Sequence, residues 1–325
     1  MQKTKPVPSD FHVVTMISNP RRYRSRYDLY HQFAKHIIDS GAKLHTVEVA
    51  FGDRPFELVT QGEDILRLRM TDELFIKENA INVGFRRMLP DNWQYAGWFD
   101  ADIHFARHDW VAETVHGLQH HSVLQPWSMA HDLSPAYETF HNYRSFGWCY
   151  QQLISRYSDK TKIPPLVVGK STTNYSGEVC WHPGFAWAIR RDAYETVGGL
   201  LDWVVTGAGD WHMSYGLIGR MADTASPEYT QAFRDKLMLW QRNAAKLKGS
   251  FGYIDGTITH NWHGKKSLRS YNDRWEILTR NQFDPNIDLV LDANGLYQLT
   301  DEKPQMRDDF AHYFARRNED GVDMD

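Results

Sequence analysis

Short runs of β-branched and aromatic residues alternate with amphipathic segments near the start of the chain, and this alternation restricts the fold most. FHVVTMIS (11–18) predicts a first strand, and RSRYDLYHQFAKHII (24–38) predicts a helix because its apolar residues recur at helical intervals. KLHTVEVAF (43–51) and DILRLRM (64–70) predict two more strands. Strands that alternate with helices form mostly parallel sheets. We therefore predict an α/β fold with a mostly parallel central sheet flanked by helices.

The pattern continues through one more helix and strand and then becomes less regular. DELFIKENAINVGFRRML (72–89) predicts a helix with Asp72 as its N-cap, and YAGWFDA (95–101) predicts the next strand. Beyond it, HHSVLQPWSMA (120–130) predicts a strand, and residues 137–157 predict a helix. The second part of the chain therefore does not repeat the first.

Three later segments are more clearly bounded. GFAWAIRRDAYETVGG (184–199) predicts a strand followed by a helix that its two final glycines end. Residues 227–249 predict a long helix, with proline near its start and glycine at its end, and YIDGTITHNWHG (253–264) predicts strand structure. No internal repeat or low-complexity linker interrupts the sequence. We therefore predict one continuous domain over residues 1–325.

The composition argues against several classes of protein. The chain has 325 residues, of which 42% are hydrophobic, so it can bury a large core. Its net charge of −4 gives no global basic field for nucleic acid or an acidic membrane surface. Cys149 and Cys180 are too few for a disulfide framework, which fits a reducing compartment. Because no run of eighteen apolar residues occurs, we expect a cytoplasmic protein without a membrane partner.

Two carboxylates follow a hydrophobic, aromatic strand. QYAGWFDADIHF (94–105) places Asp100 and Asp102 at the strand end, where parallel sheets bind their ligands. Hard divalent cations take oxygen ligands, and a D-x-D pair can place one carboxylate on a metal and the other on a sugar or ribose hydroxyl. Two solvated acids that open a turn fit the same three residues, so the motif needs support from elsewhere in the chain.

THNWHGKK supplies two histidines three residues apart, followed by cationic residues. Imidazoles suit Mn²⁺ or Zn²⁺ better than Mg²⁺, so His260 and His263 are candidate metal ligands. Lys265, Lys266 and Arg269 can bind a diphosphate beside them. The alternative is a chance pair of histidines next to a solvated charged face.

A third carboxylate stands in VVTGAGDWHM, between turn glycines and a helix predicted to start near Trp211. Asp210 is a candidate general base that deprotonates an acceptor hydroxyl. It also fits a plain helix N-cap, a position that aspartate often fills, and the two roles are compatible.

Taken together, these segments resemble motifs of the β-1,4-galactosyltransferase-like branch of the A-type fold (GT-A) glycosyltransferases, and the chain is also similar to family 2-like glycosyltransferases. The resemblance covers roughly residues 11–278, with gaps through 122–181. It implies a Rossmann-like GT-A fold with an acceptor-side half. The parts that it implies are a nucleotide-binding half (10–105), an acceptor and metal half (106–282) and a C-terminal extension (283–325).

The resemblance also implies a nucleotide-sugar site. PRRYRSRYDLYHQF is similar to the family's first nucleotide loop, and FIKENAINVGF is similar to its Phe-x-Arg…Asn-Val-Gly-Phe helix, with Lys77 in place of an arginine. WFDADIHF is similar to the D-V-D strand end, which implies Asp102 on Mn²⁺ and Asp100 on the donor. HNWHGKK resembles the segment in which the family has Met and His, so His260 and His263 share the metal role. The implied nucleotide-sugar-binding residues are Pro20, Tyr23, Arg24, Arg26, Glu48, Phe75, Lys77, Asn82, Asp100, Lys265, Lys266 and Arg269.

The acceptor side is implied in the same way. GAGDWHM resembles the family's Gly-Gly-Glu-Asp stretch, so Asp210 takes the role of the base, and Gly209 stands where the family has glutamate. Aromatic residues nearby are candidate stacking surfaces for a sugar. The implied acceptor-binding residues are Trp181, Gly184, Trp203, Gly209 and Trp211.

These residues together predict an enzyme of the hexosyltransferase class, which inverts the anomeric carbon as it transfers a sugar from a UDP-sugar, with Mn²⁺ (or Mg²⁺) as cofactor. Two alternatives stay open. One is a DNA-base glycosyltransferase acting on hydroxymethylated pyrimidines, with RRYRSR and KKSLR tracking phosphates. The other is a non-catalytic nucleotide-sugar or glycan-binding module. The donor sugar, the acceptor (a glycan, a small molecule or modified DNA) and the oligomeric state stay open as well.

Overall fold

A computed structural model describes residues 11–59, 64–152, 166–168, 179–269 and 274–324. Its strands are β1 (Phe11–Ser18), β2 (Lys43–Phe51), β3 (Asp64–Met70), β4 (Tyr95–Phe99), β5 (Ile103–Phe105), β6 (Val123–Gln125), β7 (Met129–Leu133), β8 (Thr139–Arg144), β9 (Leu166–Val168), β10 (Val179–Trp181), β11 (Ala186–Arg190), β12 (Phe251–Tyr253), β13 (Thr257–His260), β14 (Leu289–Leu291) and β15 (Tyr297–Leu299). Its α-helices are α1 (Arg24–Asp39), α2 (Lys77–Arg87), α3 (Trp110–Leu118), α4 (Phe146–Gln152), α5 (Arg191–Val197), α6 (Gly209–Leu217), α7 (Gln231–Ala244), α8 (Glu276–Arg280) and α9 (Pro304–Arg316).

A seven-stranded sheet forms the centre, with the order β12-β6-β11-β4-β1-β2-β3. β1 pairs in parallel with β2 and β4, and β3 pairs in parallel with β2. β11 lies antiparallel between β4 and β6. The predicted α/β fold, with a mostly parallel central sheet flanked by helices, is confirmed.

The apolar pattern of β1 explains why helices cover both faces of this sheet. Successive side chains of a strand point to opposite faces, and both faces of β1 are apolar. Val13 packs in the apolar cluster that contains Phe33 of α1, whereas Val14 packs in the cluster that contains Ile81 of α2. The two helices therefore stabilise the sheet from opposite sides.

A second, four-stranded sheet has the order β5-β13-β7-β8. β13 pairs antiparallel with β5 and parallel with β7. In this register His260 lies opposite Ile103 on one side and Asp132 on the other. The pairing therefore brings the end of β13 next to the residues that follow β4.

Several element boundaries differ from the prediction. Helix α2 begins at Lys77 and not after Asp72, because Asp72 instead accepts hydrogen bonds from Arg307 Nε (2.7 Å) and the Leu299 backbone N–H (2.7 Å). The predicted strand at 120–130 is wrong as a single element, since Pro126 separates β6 from β7 and these belong to different sheets. The predicted helix at 137–157 is β8 followed by α4, and residues 153–157 lie outside the described residues.

The C-terminal residues pack on the same core as the first half. Met306, Phe310 and Phe314 of α9 are buried in the apolar cluster that contains Ile81 of α2. The division of the chain into 10–105, 106–282 and 283–325 stays a prediction. Among the helices that the structure describes, none combines the length and the apolar character needed to cross a bilayer.

Candidate functional site

A cavity of about 900 Å³ opens where β1 and β4 end. Ser18, at the end of β1, and Asp100, just after β4, both line it. The carboxyl ends of parallel strands are the usual ligand-binding edge of such sheets. The structure therefore places the two carboxylates that follow β4 at a cavity large enough for a nucleotide-sized ligand.

Three side chains in this cavity form a compact donor set. Asp102 Oδ2 lies 3.1 Å from His263 Nε2, and His263 Nε2 lies 3.3 Å from His260 Nε2. One ligand atom from each of the three residues lies within 4.8 Å of the others. Asp102 Oδ1 is buried and has no hydrogen-bond partner in the described part of the chain. A carboxylate and two imidazoles converging in this way fit a divalent cation such as Mn²⁺.

Two buried carboxylates lie behind the histidines, one at hydrogen-bond distance and one farther away. His260 Nδ1 lies 2.8 Å from Asp132 Oδ1, and His263 Nδ1 lies 3.8 Å from Glu319 Oε2. Metal-binding histidines typically present their second ring nitrogen to a carboxylate, which fixes the ring and its tautomer. The arrangement therefore has both the donors and the supporting groups of a metal site.

The two histidines differ in their protonation. Burial lowers the pKa of His260, but Asp102 and Asp132 oppose this effect and raise that pKa to about 10. Burial, with Arg269 nearby, instead holds the pKa of His263 below its ordinary value. Burial favours the neutral form of Asp102, but the two histidines oppose it and hold its pKa well below the usual range. When no cation is bound, His260 therefore takes up a proton more readily than His263 does, and it would have to release that proton to bind a metal.

A second charged group surrounds Lys77 at the start of α2. Lys77 Nζ forms an ion pair with Asp100 Oδ1 at 2.5 Å. Burial lowers the pKa of Lys77, but Asp100 and Asp210 raise it well above its ordinary value. Glu78 is 2% exposed and also lines the cavity. One ammonium therefore faces three carboxylates here.

Strained backbone conformations hold two edges of this region. Ala208, which precedes α6, has φ of 68°, and Phe185 has φ of 72°. Residues with side chains avoid this left-handed region unless their surroundings enforce it. Phe185 exchanges two hydrogen bonds with Asp100: its carbonyl accepts from the Asp100 backbone N–H at 2.7 Å, and its N–H donates to the side-chain Asp100 Oδ2 at 3.2 Å. Phe185 thus holds Asp100 by hydrogen bonds, and Ala208 turns the chain into the helix whose first turn carries Asp210.

Cationic side chains line the cavity beside the metal donors. Arg26 and Arg317 both pair with Glu319, which is 3% exposed, and Arg317 Nε lies 2.7 Å from Glu319 Oε1. Lys266 pairs with Asp132 and contacts the Tyr143 hydroxyl at 2.6 Å. These cations are therefore held in place by carboxylates and present positive charge to the cavity.

The structure brings most of the predicted site residues to one cavity. Every predicted metal donor and the predicted base line it, together with half of the predicted nucleotide-sugar set. The predicted residues that line the cavity are Arg26, Phe75, Lys77, Asp100, Asp102, Gly184, Asp210, Trp211, His260, His263, Lys266 and Arg269.

Other predicted residues lie elsewhere. Trp181 is completely buried against Phe146 in the apolar core, and Trp203 packs against Phe233 in the same core. Their rings therefore stabilise the fold and do not face the cavity. Gly209 lies behind the lining, against Glu78.

Some predicted nucleotide-binding residues have structural contacts. Glu48 accepts hydrogen bonds from the backbone N–H groups of Glu57 (2.5 Å) and Leu58 (3.1 Å) and lines a small separate cavity. Asn82 is buried, its Nδ2 donates a hydrogen bond to the Leu200 carbonyl, and its Oδ1 accepts one from the Leu200 backbone N–H. The remaining residues that do not line the large cavity are Pro20, Tyr23, Arg24 and Lys265.

Several lining residues were not predicted from the sequence. Asp132 lies behind His260, Glu78 joins the Lys77 group, and Arg274 and Arg317 add positive charge. Glu319, which was not predicted either, lies behind His263 and is not part of the lining. The sequence shows that Asp132 lies near the end of a strand whose apolar and polar residues alternate. That Asp132 meets His260 depends on the pairing of β7 with β13, which the sequence pattern does not show. No sequence pattern indicated Glu319.

No protein-family model and no curated protein matches the chain. Among solved structures, the catalytic domain of Drosophila β1,4-galactosyltransferase 7 in complex with xylobiose is 11% identical, with a TM-score of 0.34, covering 91% of this chain and 96% of that chain. A putative nucleotide-diphospho-sugar transferase from Desulfovibrio desulfuricans is 9% identical, with a TM-score of 0.34 and coverage of 84% and 98%. TarS from S. aureus is 10% identical, with a TM-score of 0.32 and coverage of 72% and 71%. At these scores the likeness carries no argument about function, which must come from the site.

Proposed function

We propose that this protein is a metal-dependent, inverting glycosyltransferase that moves a sugar from a UDP-sugar to an acceptor hydroxyl. The observation that carries the proposal is the content of one cavity. A three-residue donor set for a divalent cation, cationic side chains and a carboxylate in the first turn of a helix all line it. Metal-assisted transfer from a nucleotide-diphosphate sugar uses these three components together.

In this proposal Asp102, His260 and His263 hold the cation, with Asp132 and Glu319 orienting the two imidazoles. Two nitrogen donors and one carboxylate favour Mn²⁺ over Mg²⁺, which prefers oxygen ligands. A bound divalent cation offsets the negative charge that develops on the departing diphosphate.

The cations beside this donor set bind the diphosphate. Arg26, Lys266 and Arg269 line the same cavity as the three donors, and guanidinium groups bind phosphate oxygens in pairs. Lys77 and Asp100, joined by an ion pair, then contact the donor sugar or the ribose. The donor is therefore fixed from its diphosphate to its sugar before the acceptor reacts.

Asp210 acts on the acceptor. Its carboxylate takes the proton from the acceptor hydroxyl, and the freed electron pair of that oxygen forms a bond to the anomeric carbon. The bond from the anomeric carbon to the diphosphate oxygen breaks, and its electron pair leaves with UDP. Attack on the face opposite the leaving group inverts the configuration of the anomeric carbon.

A thermal-shift panel of nucleotides with and without Mn²⁺ tests the donor side. A ligand at 100 times its Kd adds about 2.7 kcal/mol to the free energy of unfolding. We expect UDP and at least one UDP-sugar to raise Tm only with Mn²⁺ present, and ADP to raise it less. If no nucleotide-sugar changes Tm, with or without Mn²⁺, the donor assignment is wrong.

Turnover then separates an enzyme from a binding module. With Mn²⁺, the wild-type protein should release UDP from the selected donor, faster when an acceptor is added. The acceptor panel contains mono- and disaccharides and hydroxymethylated duplex DNA. Tight donor binding without any UDP release would support a non-catalytic nucleotide-sugar-binding module, and transfer to the duplex alone would support a DNA-base glycosyltransferase.

A further inference from the structure

The first residue of α6 lies directly against Glu78 of α2. A Cβ atom at Gly209 would lie 2.7 Å from Glu78 Cδ and 3.0 Å from Glu78 Oε1. Carbon atoms do not approach a carboxyl group this closely, so a side chain at Gly209 would displace Glu78. The absence of a side chain at Gly209 therefore makes room for a carboxyl group beside Asp210.

This carboxyl group is buried, and its own backbone N–H is the group that hydrogen-bonds it. Glu78 is 2% exposed and lines the cavity. No hydrogen bond or ion pair joins its carboxyl to the side chain of another residue in the described ranges, whereas neighbouring Asp100 has Lys77 at 2.5 Å. A single backbone hydrogen bond leaves most of the hydrogen-bonding capacity of this buried carboxyl unused, and a hydrogen bond to a ligand would offset part of the free-energy cost of burying it. The geometry therefore points to a ligand group next to Glu78.

The charges that face Glu78 decide its protonation state. They are Lys77 on its own helix, Asp210 on α6 and Asp100 after β4. Burial is the largest effect and raises the pKa of Glu78; Lys77 opposes it, Asp210 adds to it, and the result is about 7. Below that pH Glu78 is a neutral carboxyl that can donate one hydrogen bond as well as accept others.

We propose that Glu78 is a second acceptor-binding residue, which donates a hydrogen bond to an acceptor hydroxyl adjacent to the one that Asp210 deprotonates. The site then selects neutral acceptors with neighbouring hydroxyl groups. During transfer the proton of Glu78 stays on Glu78, and the proton of the reacting hydroxyl moves to Asp210. This inference rests on the proposed function and adds a specificity-determining residue to it.

Two substitutions at Glu78 test this role by acceptor kinetics at saturating donor and Mn²⁺. Glu78→Ala removes the hydrogen bond and should raise the acceptor KM about tenfold. Glu78→Gln keeps a neutral N–H donor and should change KM by less than about threefold at pH 6.5. Donor affinity should be unchanged in both, and Glu113→Gln on α3, whose side chain is 43% exposed, serves as the matched control.

The pH profile distinguishes binding from a structural role. An acid with a raised pKa is neutral below that pKa and charged above it, so the wild-type acceptor KM should rise as pH increases through about 7. Glu78→Gln cannot ionise and should lack this rise. The proposal is overturned if Glu78→Gln keeps the rise, or if folded Glu78→Ala leaves the acceptor KM unchanged. If wild-type protein neither binds nor turns over any donor, the proposed function fails as well, and the same assay reports that separately.

Discussion

The two charged groups that share the cavity differ in how their charges are balanced. In the metal group (Asp102, His260, His263, Asp132 and Glu319), each carboxylate lies within 4.0 Å of a histidine nitrogen. In the Lys77 group (Lys77, Glu78, Asp100 and Asp210), three carboxylates face one ammonium. The first group has the donor atoms and the supporting carboxylates that would suit a divalent cation. The second keeps an excess of carboxyl groups, which suits the movement and sharing of protons.

The largest expected effect of a single substitution lies in the metal group. Asp102→Asn replaces the only carboxylate of the three-residue donor set and should weaken Mn²⁺-dependent UDP binding by about 100-fold or more. Isothermal titration of UDP with and without Mn²⁺ measures this change. Asp39→Asn, at the exposed end of α1, is the matched control.

Isothermal titration with Mn²⁺ tests each histidine separately. His260→Gln and His263→Gln should each reduce Mn²⁺ affinity, since each removes one nitrogen donor. Unchanged affinity in Asp102→Asn would remove that residue from the metal group. An inert substitution at either histidine would assign that side chain to structure alone.

The next largest effect should appear in the Lys77 group. Asp210→Asn should lower kcat by about 10²-fold, because an amide cannot take the proton of the acceptor hydroxyl. UDP affinity should stay within about twofold of wild type, since Asp210 is not a metal donor. Steady-state kinetics and UDP titration measure the two quantities on the same preparation. A variant that retained the wild-type rate would exclude Asp210 as the base.

The smallest expected effects come from the carboxylates behind the histidines. Asp132→Asn and Glu319→Gln keep the shape of each side chain and remove its charge, so each should weaken Mn²⁺ affinity by about tenfold. Titration with Mn²⁺ alone measures this, with Asp39→Asn again as the control. If both variants bound Mn²⁺ as tightly as wild type, the charges of Asp132 and Glu319 would play no part in metal binding.

The sequence predicted the first half of the fold closely because local pattern determines it. The predicted bounds of β1, β2 and β3 coincide with the observed ones. β1 and β2 are apolar runs buried on both faces, whereas β3 is an edge strand that is partly exposed. The helix predicted at 137–157 was wrong in its first part, because residues 139–144 form β8. That strand is stabilised by pairing with β7, which local periodicity cannot show.

The candidate site shows the same limit. Asp102, His260 and His263 stand in short motifs, and the structure brings them together. Asp132 depends on the register between β7 and β13, and Glu319 depends on a contact with Arg26 across 293 residues of sequence. Glu78 was hidden because its role follows from the missing side chain of Gly209, a relation between two helices.

The contact between Arg26 and Glu319 also sets an order in time. At a synthesis rate of about 5–20 residues per second, Glu319 leaves the ribosome roughly 15–60 s after Arg26. The central strands and α1 can form during this interval, but the carboxylate of Glu319 is not yet available to Arg26 or to His263 Nδ1. The five side chains of the metal group can therefore come together only after Glu319 has been made.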